Sequence, residues 1–352
     1  MISRGSEFNS ATEQLVTLTY QKPLAAKIGA LLREFESLRE KTMAIPWCHK
    51  AWWNADSPLE FNDWILIDSW YRSRSLELPV SGEAMVPCLD MANHSVKANA
   101  YYQQGGNDDV FLVLRPKQQL EAGEEVTISY GSAKTAAEML FSYGFIDSSA
   151  TAQGLVLYIA PATDDPLAKG KLIGFGKPPT LQISASDDSL EVICPFIYLM
   201  CVGEEDGLSF KTLLKNDGTA GELQVFWHDV NVTDRTGEFE DVLSGDALKD
   251  VFMLRATVLL QYIIEAQLER LSESEDAANV LHGDWHGLTG DARRIHEAAS
   301  RLRLIEAGLL GRAIELLESQ VSLSSIVVSR VLRPVDATTV SKSHRGGVSR
   351  GK

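Results

Sequence analysis

The feature that most constrains this chain is the punctuation of residues 87–145. Apolar pieces only a few residues long alternate there with Gly, Asp, Asn and Pro, as in PCLDMANHS (Pro87 to Ser95), QQGGNDD and LEAGEEVTISYG. A helix needs roughly ten or more residues of sustained 3.6-residue periodicity, so this spacing confines the stretch to short strands, turns and one small helix. Ala98 to Tyr102 and Val110 to Leu114 alternate on either side of QQGGNDD and predict a β-hairpin. Glu125 to Tyr130 alternates as a further strand. Thr135 to Tyr143 predicts a short amphipathic helix that stops at Gly144.

The flanks have a different character. Pro23 opens a helix in which Leu24, Ile28, Leu31, Leu32, Phe35 and Leu38 recur on one face, and Pro46 ends it. Phe61 to Leu76 predicts a second helix. Ala160 to Pro179, rich in Pro, Gly and Lys, reads as the domain boundary. Beyond it, Ala247 to Arg270 and Asp291 to Leu317 are strongly helical. The expectation is an α+β chain. It has a disordered or remnant N-terminus (1–22), a helical insert (23–80), a β-rich core (81–160), a helical domain (178–332) and a disordered basic tail (333–352).

Charge narrows the partners. The net charge is −15, and the last twenty residues are basic by about +4, so the body carries about −19. Such a surface disfavours nucleic-acid phosphates and suits a Lys-rich protein. Four cysteines (Cys48, Cys88, Cys194, Cys201) form no CxxC and no disulfide framework. No metal site is expected: His282 and His286 of HGDWH are broken by Gly283 and Trp285, which favour a surface loop. Gly170 to Lys177 (GKLIGFGK) fails as a phosphate loop because its glycines are wrongly spaced and Pro178 follows. No signal peptide and no run of about 18 apolar residues is evident, so the chain is expected to be intracellular, cytoplasmic or nuclear, with no membrane span and no partner copy.

Taken singly, the conspicuous residues of 74–145 have mundane explanations: Tyr130 ends a strand, Asn93 and Ser95 form turns, Arg74 is a solvated charge, Asp90 caps a turn. Their joint order carries more. Ser73-Arg74 precedes Asp90, Asn93, His94 and Ser95, then Gly123 to Gly131 (GEEVTISYG), then Leu140 to Phe145 (LFSYGF). This series resembles the SET-domain protein lysine methyltransferases, in the branch of the plant Rubisco large-subunit methyltransferase and the fungal ribosomal-protein lysine methyltransferases.

The resemblance implies a SET-type β-rich core with a helical insert, followed by an α-helical substrate-binding domain. It implies transfer of a methyl group from S-adenosylmethionine to a lysine of a protein substrate, such as a ribosomal protein. Tyr130 is then the catalytic tyrosine. Arg74, Asn93, His94 and Phe145 hold the cofactor, while Asp90, Tyr143 and again Arg74 face the substrate. The chemistry suits those residue types: a displacement at carbon requires alignment above all, and a narrow aromatic channel favours the neutral amine. One departure stands out. The family's glycine-rich turn, of the GRGL type, is not found, Ser3 to Ser6 being the one faint candidate. The alternative expectation is therefore a catalytically impaired fragment that serves as a protein-binding module.

Overall fold

The computed structural model describes residues 18–54, 56–106, 109–131, 134–147, 153–186, 189–214, 220–282 and 290–331. The expected remnant at 1–17, the basic tail and His286 lie outside the described residues. The described chain forms two compact units. The first comprises residues up to Ala160, Lys177–Cys194 and Ile263–Ile314; the second comprises Pro161–Gly176, Pro195–Tyr262 and residues from Glu315 onward.

In the first unit, α1 (Leu18–Thr42) begins five residues before the expected Pro23. Proline close to a helix start forfeits a single backbone hydrogen bond, so the preceding turn still forms. Short helical turns at Pro46–Trp53 carry three tryptophans, and Trp53 packs edge-on against Phe35 with centroids 5.9 Å apart. Helix α2 (Phe61–Arg74) follows, its first N–H groups covered by Glu60 and Asp63. The two helices are tied by charge: Lys27 Nζ donates to Asp68 Oδ1 at 2.8 Å, and Arg72 Nε donates to Asp68 Oδ2 at 2.7 Å.

The β-rich core is assembled from small sheets. Strands β1 (Leu76–Leu78) and β2 (Gly82–Ala84) pair antiparallel. The short β3 (Asn93–His94) pairs in parallel with β6 (Thr127–Ile128). The hairpin expected on either side of QQGGNDD is present as β4 (Ala100–Gln104) and β5 (Val110–Leu114), with Tyr102 opposite Leu112. Leu76, Leu78, Ala100 and Ile128, one or two from each of three strands (β1, β4 and β6), bury one common cluster on which Tyr130 packs. Helix α3 (Ala136–Tyr143) stands where expected: the Thr135 hydroxyl accepts from Glu138 N–H at its start, and Gly144 ends it at φ 80°. A three-stranded antiparallel sheet completes the unit, made of β7 (Gln153–Tyr158), β8 (Thr180–Ala185) and β9 (Leu190–Ile193). Its alternate residues Leu155, Leu157, Leu181 and Ile183 are buried, as a half-buried sheet requires.

In the second unit the stretch expected as the domain boundary contains helix α4 (Ala168–Phe175). It buries Phe175 against Phe196, and it buries Lys171 to 2% exposure. That ammonium is tolerated because Asp165 Oδ2 lies 2.7 Å away and Met200 O at 3.3 Å. Strands β10 (Leu208–Leu214), β11 (Ala220–Trp227) and β12 (Val230–Asn231) form an antiparallel sheet. The region beyond 178 is thus not helical throughout: among the described residues five strands lie between Thr180 and Asn231, with short helical turns among them. Alternation in TLQISA and ELQVFW carried that information, overshadowed by the stronger helical periodicity downstream. The long helices α5 (Lys249–His282) and α6 (Gly290–Val331) stand where expected and run further. Lys249–Glu273 is, against expectation, long and apolar enough by composition to cross a membrane, with mean hydropathy 1.3. Here it buries Phe252, Ala256, Leu260, Ile264 and Leu271 at helical spacing.

Asp68 gives an acid-stability prediction. Burial pushes its carboxyl pKa up, but the hydrogen bonds from Lys27 and Arg72 and their charges outweigh it and hold the pKa below the ordinary 3.8. A depressed folded pKa stabilises the fold above the unfolded value, and that contribution fades as pH falls through the folded value. Asp68→Asn should cost about 1–3 kcal/mol at neutral pH and flatten the acid limb of the Tm-against-pH curve, as scanning calorimetry would show.

Candidate active site

The site is built where two short strands run side by side. In the parallel β3–β6 pair Asn93 stands opposite Thr127 and His94 opposite Ile128, and Ser95 N–H donates to Ile128 O at 3.0 Å. Asn99 fixes the entry to β6: its side chain accepts from Thr127 N–H at 2.9 Å and donates to Glu125 O at 2.9 Å. The chain leaving β6 then brings Tyr130 back over β3. Tyr130 N–H donates to His94 Nδ1 at 3.1 Å, and the Tyr130 hydroxyl donates to Ala92 O at 2.7 Å. Since Nδ1 accepts, the ring hydrogen of His94 sits on Nε2, which faces Asp147 Oδ2 at 3.1 Å. Both nitrogens are thus committed, and the imidazole is 4% exposed.

Gly144 decides what surrounds Tyr130. Its left-handed conformation, which glycine adopts without strain, turns the chain sharply at the end of α3. Tyr143 and Phe145 therefore both face Tyr130, with centroids at 4.6 and 6.4 Å, and His94 lies 5.2 Å from it on another side. Burial first, then the neighbouring Tyr143, pushes the Tyr130 phenol pKa above 10.0, with Arg74 pulling weakly the other way. At neutral pH the group is an uncharged hydroxyl. Its one proton is directed at Ala92 O, so its lone pairs are available to accept.

Tyr130 also lines a cavity of about 490 Å³. Arg74, Asp90, Tyr130 and Tyr143 line it, together with Leu76, Tyr102 and others. Arg74 Nη1 reaches Asp90 O at 3.3 Å, Asp90 Oδ2 at 3.7 Å and Met91 Sδ at 3.0 Å. Four of the seven residues singled out in the sequence thus share one cavity. His94 and Phe145 pack behind Tyr130 instead, and Asn93, exposed, is tied to Glu125 Oε1. Among the described residues no group of three or more His, Cys, Asp and Glu is placed to hold a metal.

Three positioning residues escaped the sequence reading. Asn99 lay in a stretch read merely as the start of a strand. Asp147 follows YGF by two residues without any pattern to mark it. Arg72 sits beside the Ser73-Arg74 pair and reads as a helix charge, yet its Nη1 donates to Phe141 O at 3.1 Å while its guanidinium covers the Phe141 ring at 4.8 Å. Arg72 thereby joins α2 to the end of α3, two residues before Tyr143. Arg72→Met should lower stability by about 1–3 kcal/mol, measured by urea denaturation, by releasing both Asp68 and the α3 terminus; Arg72→Lys, which cannot make both bonds, should recover only part of it.

No family model matches the chain. SET domain-containing protein 8 of Schizosaccharomyces pombe is 27% identical over 250 residues, 70% of this chain and 55% of that protein. The chloroplastic Rubisco large-subunit N-methyltransferase of Nicotiana tabacum is 24% identical over 173 residues, 45% of this chain and 35% of that protein. The chain therefore spans about half or less of the length of these curated relatives. Among solved structures, the SET domain of LSMT bound to lysine and AdoHcy superposes with TM-score 0.58 at 18% identity, covering 96% of this chain and 72% of that one. Rubisco LSMT bound to AdoMet gives 0.57 at 18% identity, covering 95% and 72%. The chain carries the SET fold of the Rubisco large-subunit methyltransferase type, and its sequence relatives include a SET domain-containing protein and Rubisco large-subunit N-methyltransferases.

Proposed function

We propose that the chain is a lysine N-methyltransferase that uses S-adenosylmethionine and acts on a protein, a Lys-rich one such as a ribosomal protein. The observation that carries this reading is the neutral Tyr130 hydroxyl at the wall of a cavity shared with Tyr143, Arg74 and Asp90. The related solved structures hold lysine with AdoHcy, and AdoMet.

The residues present fit such a cofactor by their donor chemistry. Arg74 is 37% exposed and keeps guanidinium donors beyond the Nη1 already engaged, so it can meet a carboxylate. Phe145 is also 37% exposed and offers a ring face to an adenine. Asn93 and His94 would contribute mainly through their backbone, because the His94 imidazole is used up by Tyr130 N–H and Asp147. When bound, S-adenosylmethionine supplies a methyl group carried on a sulfonium.

The chain's own residues then do the aligning. A substrate ammonium loses a proton to water on entry, and the aromatic walls of Tyr143 and Tyr102 favour the neutral amine over the charged form. Tyr130 Oη accepts a hydrogen bond from the amine and so fixes the direction of its lone pair. Asp90 holds Arg74 in place at the cavity edge. Alignment of this kind lowers the barrier by removing the entropy of encounter.

Titration calorimetry with S-adenosylmethionine should show saturable binding by the full chain. Tyr130→Phe should keep that binding and slow methylation of a basic protein substrate by about a hundredfold. Unchanged methylation would remove the role given to the hydroxyl. Absence of binding by a folded chain would leave the reading as a protein-binding module.

A further inference from the structure

A lysine of the chain itself stands at this cavity. Lys134 lies between Gly131 and the Thr135 cap of α3, and it lines the cavity with Ser129, Tyr130 and Tyr143. Its stem folds back over Gly131: a Cβ at that glycine would stand 3.1 Å from Lys134 Cε and 3.3 Å from Cγ. Gly131 has φ 134° and bears no side chain, so the close approach is free of strain. The Lys134 ammonium is 5.7 Å from the Tyr143 ring centroid, within cation–π range. Tyr143 itself stacks 4.6 Å from Tyr130. An alkylammonium is thus held over Tyr143, one of the aromatic walls proposed to face the substrate amine.

We propose that Lys134 is an internal methyl acceptor, modified by the chain that carries it; this rests on the methyltransferase reading above. Lys134 Nζ first gives a proton to solvent. The neutral amine then forms a bond to the methyl carbon as the carbon–sulfur bond breaks. The sulfonium leaves as the neutral thioether of S-adenosylhomocysteine, and the positive charge passes to the methylated Nζ. The flexible four-carbon stem and its attachment three residues after Gly131 keep the amine at high local concentration, so no second protein is needed. Until it is consumed in this way, Lys134 competes with any outside lysine for the same aromatic wall.

The test uses the full chain with methyl-labelled S-adenosylmethionine and no other protein, with the label mapped by peptide mass spectrometry. Label should appear on Lys134, at a rate per chain that does not change on dilution, and should be lost in Lys134→Arg and in Lys134→Gln. Cofactor binding is measured in parallel by calorimetry. Binding with the label elsewhere, with label persisting in both variants, or with a rate that falls on dilution overturns this proposal and leaves the methyltransferase reading standing. No binding overturns both. A readout independent of the cofactor is acylation of Lys134 by an amine-reactive ester. Tyr143→Ala should make Lys134 acylate faster, and an unchanged rate would overturn the placement of its ammonium against that ring.

Discussion

Everything the site does depends on two residues of parallel strand pairing. β3 and β6 share only Asn93 with Thr127 and His94 with Ile128, a ladder far too short to hold itself together. It persists because side chains reinforce it from both ends. Asn99 clamps the entry to β6, and the His94 ring accepts the Tyr130 N–H at its exit. The pairing in turn fixes where Tyr130 can point, because its hydroxyl reaches back to Ala92 on the strand's own approach. Backbone geometry and side-chain geometry are one object here.

The surrounding fragments explain how so little sheet can be stable. Three short strands contribute to a single buried cluster of Leu76, Leu78, Ala100 and Ile128, so each is held by shared burial more than by its own hydrogen bonds. Charge supplies the links that apolar packing does not. The Lys27–Asp68–Arg72 chain joins α1 to α2, and Arg72 extends it to the end of α3. These contacts are part-buried, charge-assisted hydrogen bonds, so they fix geometry as well as adding stability. They set the distance between the helix that bears Arg74 and the one that bears Tyr143.

The second unit follows other rules. Its sheet and aromatic packing, Trp227 against Phe239 and Phe252, form a conventional core. Within it the buried Lys171–Asp165 pair is costly to desolvate and is kept by close geometry. Cys201 is partly buried, and that desolvation pushes its thiol pKa up to about 12, which keeps it a protonated, unreactive thiol. None of this resembles the open, polar-rimmed cavity of the first unit, and the difference separates residues that hold the chain together from residues that face a ligand.

The sequence by itself determined the local elements whose signals are short-range. Alternation marked the hairpin on either side of QQGGNDD, Thr135 and Gly144 marked the limits of α3, and helical periodicity marked α1, α2, α5 and α6. The ordered NHS, YG and YGF pieces also pointed to the SET fold that the chain shares with solved structures. Other features stayed hidden. Strands β8 to β12 were lost beside the louder helical pattern, and α4 was hidden in a composition that looks like a domain boundary. Asn99, Asp147, Arg72 and Lys134 carry no local signature, because each acts on a partner set by the fold: 28 residues away for Asn99 and Thr127, 69 for Arg72 and Phe141. Only the tertiary structure decided that the His94 imidazole is spent on positioning, and that a lysine of the chain stands beside Tyr143. Local propensity acts over a few residues, whereas hydrogen-bond partners and burial are fixed only once distant segments meet.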